Sequence, residues 1–140
     1  MRLEGFEGRV EVDGMEHVVK VVGGSAELKE KQVGRKLLRI KITAEVDGVK
    51  GEYEITYGRR GADNAAVGRA YASVDAPGGR EADAERFSAL VKALTGEEPR
   101  VYRIDNGRVM MECGRWHLDG FKRYAELADT IAKWLEEMGR

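Results

Sequence analysis

The segment GRKLLRIKITAEVDGVKGEYEITYG constrains this chain more than any other. Asp47-Gly48 is a two-residue turn dipeptide flanked by alternating apolar and polar residues, the strongest short-range signal for a β-hairpin. A loop that short sets the register: Val46 faces Val49, Ala44 faces Gly51, Ile42 faces Tyr53, Ile40 faces Ile55 and Leu38 faces Tyr57. The opposite face pairs Glu45 with Lys50, Thr43 with Glu52, Lys41 with Glu54 and Arg39 with Thr56. Two of these are opposite-charge pairs, each worth roughly 0.2–1 kcal/mol. A slip of one residue would bury the charges, so the hairpin has one register and one buried face.

The remaining chain organises around that hairpin. Val10, Val12, Val19 and Val21 favour strand around an Asp13-Gly14 turn, so residues 1–32 read as an N-terminal β-hairpin extension. Gly23-Gly24 ends that run, and SAELKEKQ is polar with no assigned element. After a Gly-rich loop, Ala66–Val74 reads as a strand with Ala66, Gly68, Ala70, Ala72 and Val74 on one side, where small residues predict close approach by something packed on the sheet. READAERFSALVKALTG is a helix with Phe87, Leu90, Val91 and Leu94 on one stripe, closed by Gly96. RVYRIDNGRVMMEC is a further hairpin about Asn106-Gly107, with Ile104 opposite Val109 and Tyr102 opposite Met111 on its apolar face. One long amphipathic helix, from about Trp116 to Met138, closes the chain on Leu118, Phe121, Ala125, Ala128, Ile131, Leu135 and Met138. The expected fold is α+β: an antiparallel sheet, polar on one face, with helices packed on the other. Residues 33–140 form its main domain.

Composition narrows the function classes. A chain of 140 residues can bury a core without disulfides or metals, and its single Cys113 excludes an internal disulfide and any Cys-rich zinc site. No apolar run approaches the ~18 residues of a membrane span and no signal stretch opens the chain, so a cytoplasmic protein without membrane contact is expected. One Gln and two Asn against 49 charged residues point to a hot-environment source. Net charge is −1, while residues 33–72 carry +3 between flanks of −2 each. Binding to a polyanion must therefore rest on a patch.

No catalytic constellation emerges. GRRGADNAAVGRA lacks the phosphate-loop pattern and leads into a strand. Cys113 falls on an apolar strand face, and His117 sits where a helix begins, as a capping residue would. Glu81, Asp83 and Glu85 crowd the start of a helix, where acids complement its dipole. The Arg/Lys set remains. In the register above Arg39, Lys41, Arg69, Arg103 and Arg108 point to the open sheet face, with Arg59 and Arg60 at the loop rim and Tyr71 among them. Such a face can lie along a nucleic acid. Glu45, Glu52, Glu54, Asp105 and Glu112 share it, so a solvated sheet held by cross-strand pairs is the competing reading.

Two resemblances add to this. Residues 75–137, from DAPGGREADAERFSALVKALTGEEPR to the last helix, resemble the C-terminal segment of the multicopy archaeal PaRep type-two paralogues, whose biochemical role is not established. From Val49 the order β-β-α-β-β-α, with the helix–Leu-Thr-Gly–strand join at 94–101, is similar to one half of a LAGLIDADG homing endonuclease. That resemblance implies a ββα-ββα half-domain whose sheet lies on DNA with helices on its back. The acidic LAGLIDADG helix is absent: KITAEVDGVKGEYE stands in its place as strand and turn, so no catalytic residue carries over and no cofactor or metal is expected. The reading is a non-catalytic nucleic-acid-binding domain for DNA or structured RNA, as a homodimer. The alternatives are a protein-interaction module of an archaeal mobile-element protein, and a cleaving endonuclease using Asp47.

Overall fold

The computed structural model describes residues 1–32 and 35–138, and the side chains of all of these but 31, 32 and 138. Its elements are β1 (Glu7–Val12), β2 (Met15–Gln32), β3 (Arg35–Val46), β4 (Val49–Arg60), β5 (Ala65–Tyr71), α1 (Gly79–Thr95), β6 (Arg100–Arg103), β7 (Val109–Cys113), α2 (Arg115–Phe121) and α3 (Ala125–Met138). A 3₁₀ turn, Asp105–Gly107, joins β6 to β7. The strands form one antiparallel sheet in the order β1-β2-β3-β4-β5-β7-β6. The fold is α+β. The expected boundary between residues 32 and 33 lies at the edge of the described residues.

The β3–β4 hairpin forms in the register its turn demands, from Val46↔Val49 to Leu38↔Tyr57. Asp47 (φ 52°) and Gly48 (φ 80°) both take the left-handed conformation of the tight turn that matches strand twist. The β1–β2 hairpin repeats this with Asp13 and Gly14, pairing Val12 with Met15. Ile40, Ile42, Tyr57, Met111 and Cys113 share the buried face with Phe87, Leu90, Leu118 and Ile131 of the helices.

Three expectations are corrected. Gly23-Gly24 does not end a strand: β2 continues for 18 residues, with a register shift between Val21 and Gly23. Beyond the shift Ala26 and Leu28 turn inward while Glu27 and Lys29 turn outward, so the polar segment is a strand of ordinary alternation. Gly24 is required there, since a Cβ would stand 2.6 Å from Leu3 Cδ1 and 2.9 Å from the Lys41 carbonyl.

The β6–β7 pairing is displaced by one residue, with Val101 opposite Met111, Tyr102 opposite Met110 and Arg103 opposite Val109. Asn106 (φ 66°) and Gly107 (φ 73°) do turn the chain, but inside a longer connection closed by the Ile104 N–H on the Arg108 carbonyl. One residue of slip exchanges the faces of the whole strand.

The last helix is two helices. Between α2 and α3 the chain turns at 122–124, and there the Tyr124 hydroxyl (2.7 Å) and Arg123 Nη2 (3.2 Å) both donate to the Leu94 carbonyl near the end of α1. The break resets the helical phase. Tyr124, Leu127, Ile131 and Trp134 are buried, whereas Ala125 is exposed. At the crossing Gly120 has no room for a side chain, its Cβ position lying 2.7 Å from Thr95 Cβ.

Candidate nucleic-acid interface

On the open face, opposite the helices, one unbroken cross-strand row runs Glu27, Arg39, Thr56, Arg69, Glu112, Arg100. It is largely self-neutralised. Arg39 Nη1 donates to Glu27 (3.2 Å) and its Nε lies 3.1 Å from Glu54 as an ion pair, and Arg69 Nε lies 3.8 Å from Glu112. The next row carries Ser25, Lys41 and Glu54 on one side and Tyr71, Met110 and Tyr102 on the other. Among the described residues Lys41, Arg60 and Arg100 have no carboxylate within 4 Å.

Of the eight residues singled out by sequence, Arg39, Lys41, Arg69 and Tyr71 stand on this face and Arg60 at its rim. Arg103 does not. The slip in β6 turns it to the helix side, where Nη2 and Nε grip the two Glu81 oxygens at 2.6 and 3.0 Å. That hydrogen-bonded charge pair holds the Glu81 carboxyl below its ordinary range and raises the Arg103 guanidinium. Arg59 also turns to the helix side, 4.9 Å above the Trp134 ring, with Nη1 donating to the Asn64 carbonyl. Desolvation, assisted by Arg115, lowers its pKa. Arg108 lies in the β6–β7 connection, its Nε 3.4 Å from the Asp105 carbonyl.

The residue missed by sequence reasoning is Tyr102. The same slip that removes Arg103 from the open face places Tyr102 there. Tyr71 (58% exposed) and Tyr102 (38% exposed) flank Met110 on neighbouring strands. At strand spacing the two tyrosine Cα atoms are roughly 10 Å apart. Two large exposed aromatics in one row of a sheet are the unusual feature of this surface.

The other apparent sites are structural. Burial pushes the Cys113 thiol up to about 12, so it is no nucleophile. His117 Nδ1 accepts the Gly114 N–H (3.0 Å) and its Nε2 lies 2.9 Å from the Glu98 carbonyl, which fixes it at the start of α2. The carboxylates of α1 each hold a tertiary contact: Glu81 to Arg103, Asp83 to the Ser73 N–H (2.8 Å) and Glu85 to His17 (3.3 Å). Among the described residues no three His, Cys, Asp or Glu side chains are grouped to hold a metal ion, and no helix is long and apolar enough to cross a membrane.

Asp47 has a defined task in the turn. Its Oδ1 accepts the Val18 N–H (2.8 Å) and its Oδ2 meets buried His17 Nδ1 (2.6 Å), tying the first hairpin to the second. Burial pushes the Asp47 pKa up, but the Val18 and His17 bonds outweigh it and hold the carboxyl below its ordinary value. A depressed carboxylate stabilises the fold above its unfolded pKa near 4, and that contribution is lost as pH falls through the folded value. Asp47→Asn, which keeps a good turn residue, is therefore expected to lower stability by about 1 kcal/mol at pH 7 after solvent screening. The gap between wild type and variant, read from thermal melts at pH 7 down to pH 2.5, should close only below about pH 4. A gap unchanged at pH 2.5 would show that the carboxylate charge contributes nothing. The chain matches no family model, no curated protein and no solved structure.

Proposed function

We propose that this chain is a non-catalytic nucleic-acid-binding domain that receives single-stranded RNA or DNA on the β5–β7–β6 part of its open face. The observation that carries this reading is the Tyr71–Met110–Tyr102 row, with Arg69 and Arg100 in the row beside it. Sheet-borne aromatics stack unpaired bases, each contributing about 1–3 kcal/mol, while nearby cations meet the phosphates. The resemblance of the element order from Val49 onward to a LAGLIDADG half, whose sheet lies on DNA, is a second support for this reading. Cleavage is not part of the proposal, because Asp47 sits in a hairpin turn engaged by His17 and Val18.

The test is fluorescence anisotropy with short oligo-U, oligo-dT and duplex DNA across a salt series. Single strands should bind more tightly than duplex. Tyr71→Ala and Tyr102→Ala should each weaken binding by about 5- to 150-fold, the equivalent of that stacking energy. With Arg100 as the cation of this part of the face that has no carboxylate within 4 Å among the described residues, the slope of log K against log salt should be shallow, about −1. No binding at low salt, or tyrosine variants indistinguishable from wild type, would overturn the reading. The ion pairs of Arg39 and Arg69 favour one alternative, a protein-interaction module, since a self-neutralised face suits a protein better than a polyanion.

A further inference from the structure

The second row of the open face is interrupted between Glu54 and Tyr71, because β4 and β5 pair only from Thr56↔Arg69 to Arg60↔Ala65 and diverge beyond. The divergence leaves a cleft of about 630 Å³ between the first half of β4 and the chain from Ala70 to Pro77, bordered also by Tyr53, Arg86 and Phe87.

One wall is the bare edge of a strand. In a hairpin closed by a two-residue turn, Val46 and Val49 exchange backbone hydrogen bonds, and alternate residues of β4 then bond to β3. The N–H and C=O groups of Lys50, Glu52 and Glu54 therefore point away from β3 and into the cleft. No hydrogen bond from another described residue reaches them. Unpaired backbone at regular two-residue spacing is a template for an incoming strand.

The side chains around the edge say what kind of strand fits. Inside, the floor of the cleft is formed by Tyr53 and Phe87, nearly buried rings 6.1 Å apart. The inward residues of an added strand would meet an apolar floor beside the Tyr53 hydroxyl, which has no hydrogen-bond partner among the described residues. Outside, Glu52 and Asp75 border the cleft with no cation within 4 Å among the described residues, Lys50 and Arg60 border it toward either end of β4 with no carboxylate within 4 Å, and Glu54 and Arg69 already have partners. A second copy of this edge, paired two-fold about Glu52, would set Glu52 against its own counterpart but Lys50 against Glu54 on either side, so self-association is an outcome of the test. We propose that the cleft between β4 and β5 captures an extended segment of a partner protein as an added strand, apolar toward Tyr53 and Phe87 and basic opposite Glu52.

The test uses the full chain and a display library of random linear peptides of about 12 residues, longer than an ordinary strand. Recovered peptides should alternate apolar with polar residues, be enriched in Lys or Arg on the polar positions, and perturb the Lys50, Glu52 and Glu54 amides in NMR spectra. Glu52→Pro removes one cleft-facing N–H at a position where edge strands accept proline. It should bind at least tenfold more weakly than Glu52→Ala, which lacks the same carboxylate but keeps the N–H. Should Glu52→Pro not fold, N-methylation of alternate peptide residues removes the same bonds from the other side and should weaken binding with a period of two. An empty selection, a dimer that protects the Lys50, Glu52 and Glu54 amides without peptide, equal binding by Glu52→Pro and Glu52→Ala with no period-two effect, or oligonucleotides perturbing those three amides in place of peptides would each overturn the proposal. Oligonucleotide affinity insensitive to Glu52→Pro, beside loss of peptide binding, would separate this site from the tyrosine row.

Discussion

Replacing Trp134 by alanine is expected to cost about 3–5 kcal/mol, the range for deleting a large buried aromatic. Trp134 has no exposed surface, and three contacts converge on it. Its indole Nε1–H donates to the Lys36 carbonyl (3.0 Å), its ring meets the edge of Tyr57 at a centroid distance of 6.2 Å, and Arg59 lies over its face. Through them α3 is held to β3 and β4. For a domain of this size the loss corresponds to a fall of roughly 10–20 °C in melting temperature. Trp134→Phe keeps one ring of the two but leaves the Lys36 carbonyl without its donor, and should cost less, about 2 kcal/mol. Urea unfolding of the two variants checks this, and equal losses would mean that the indole bond, not the packing, dominates.

The second large effect comes from adding one methyl group. A Cβ on Gly68 would stand 2.6–2.8 Å from three atoms of the Tyr57 ring. Tyr57 cannot swing aside, because it is fully buried, wedged against Trp134 and bonded through its hydroxyl to the Gly114 carbonyl (3.0 Å). Gly68→Ala should therefore destabilise by about 3 kcal/mol, the upper part of the range for overpacking. The diagnostic is a double-mutant cycle. Tyr57→Leu vacates the ring position, so the pair should cost clearly less than the two single changes together. Strict additivity would show that the clash is relieved elsewhere.

How far the sequence carried can be seen strand by strand. The Asp47-Gly48 and Asp13-Gly14 hairpins were legible because the turn chemistry and the hydrophobic alternation agree. The helix at 79–95 was legible because Phe87, Leu90, Val91 and Leu94 keep helical spacing up to Gly96. The small residues of β5 led to an expectation of close approach by something packed on the sheet; over Gly68 the close neighbour is the Tyr57 ring of the adjacent strand, and the strand ends at Tyr71, short of Val74. Asn106-Gly107 gave no such agreement. Both registers of β6 against β7 put apolar residues inward, Tyr102 and Ile104 in one and Val101 in the other, so local pattern could not choose. The bidentate contact of Arg103 with Glu81, 22 residues away, accompanies the register that formed.

The candidate site inherits that limit. Its cations could be read from the residues, since strand parity alone sends Arg39, Lys41 and Arg69 outward. Their neutralisation could be read only in part: the Arg39–Glu27 bond needs the path of β2, which the glycine pair disguised. Tyr102 and the open edge of β4 were hidden for the same reason. Each depends on how one strand lies against another far along the chain.

Alternation and turn dipeptides by themselves determined that this protein is α+β, with an antiparallel sheet polar on one face. Those signals act between residues a few positions apart, where sterics and burial leave one low-energy choice. The slip in β6, the break that lets Tyr124 reach the Leu94 carbonyl, and the parting of β4 from β5 were decided by tertiary structure alone. There two local arrangements are nearly equal in energy, and contacts between distant segments make the difference.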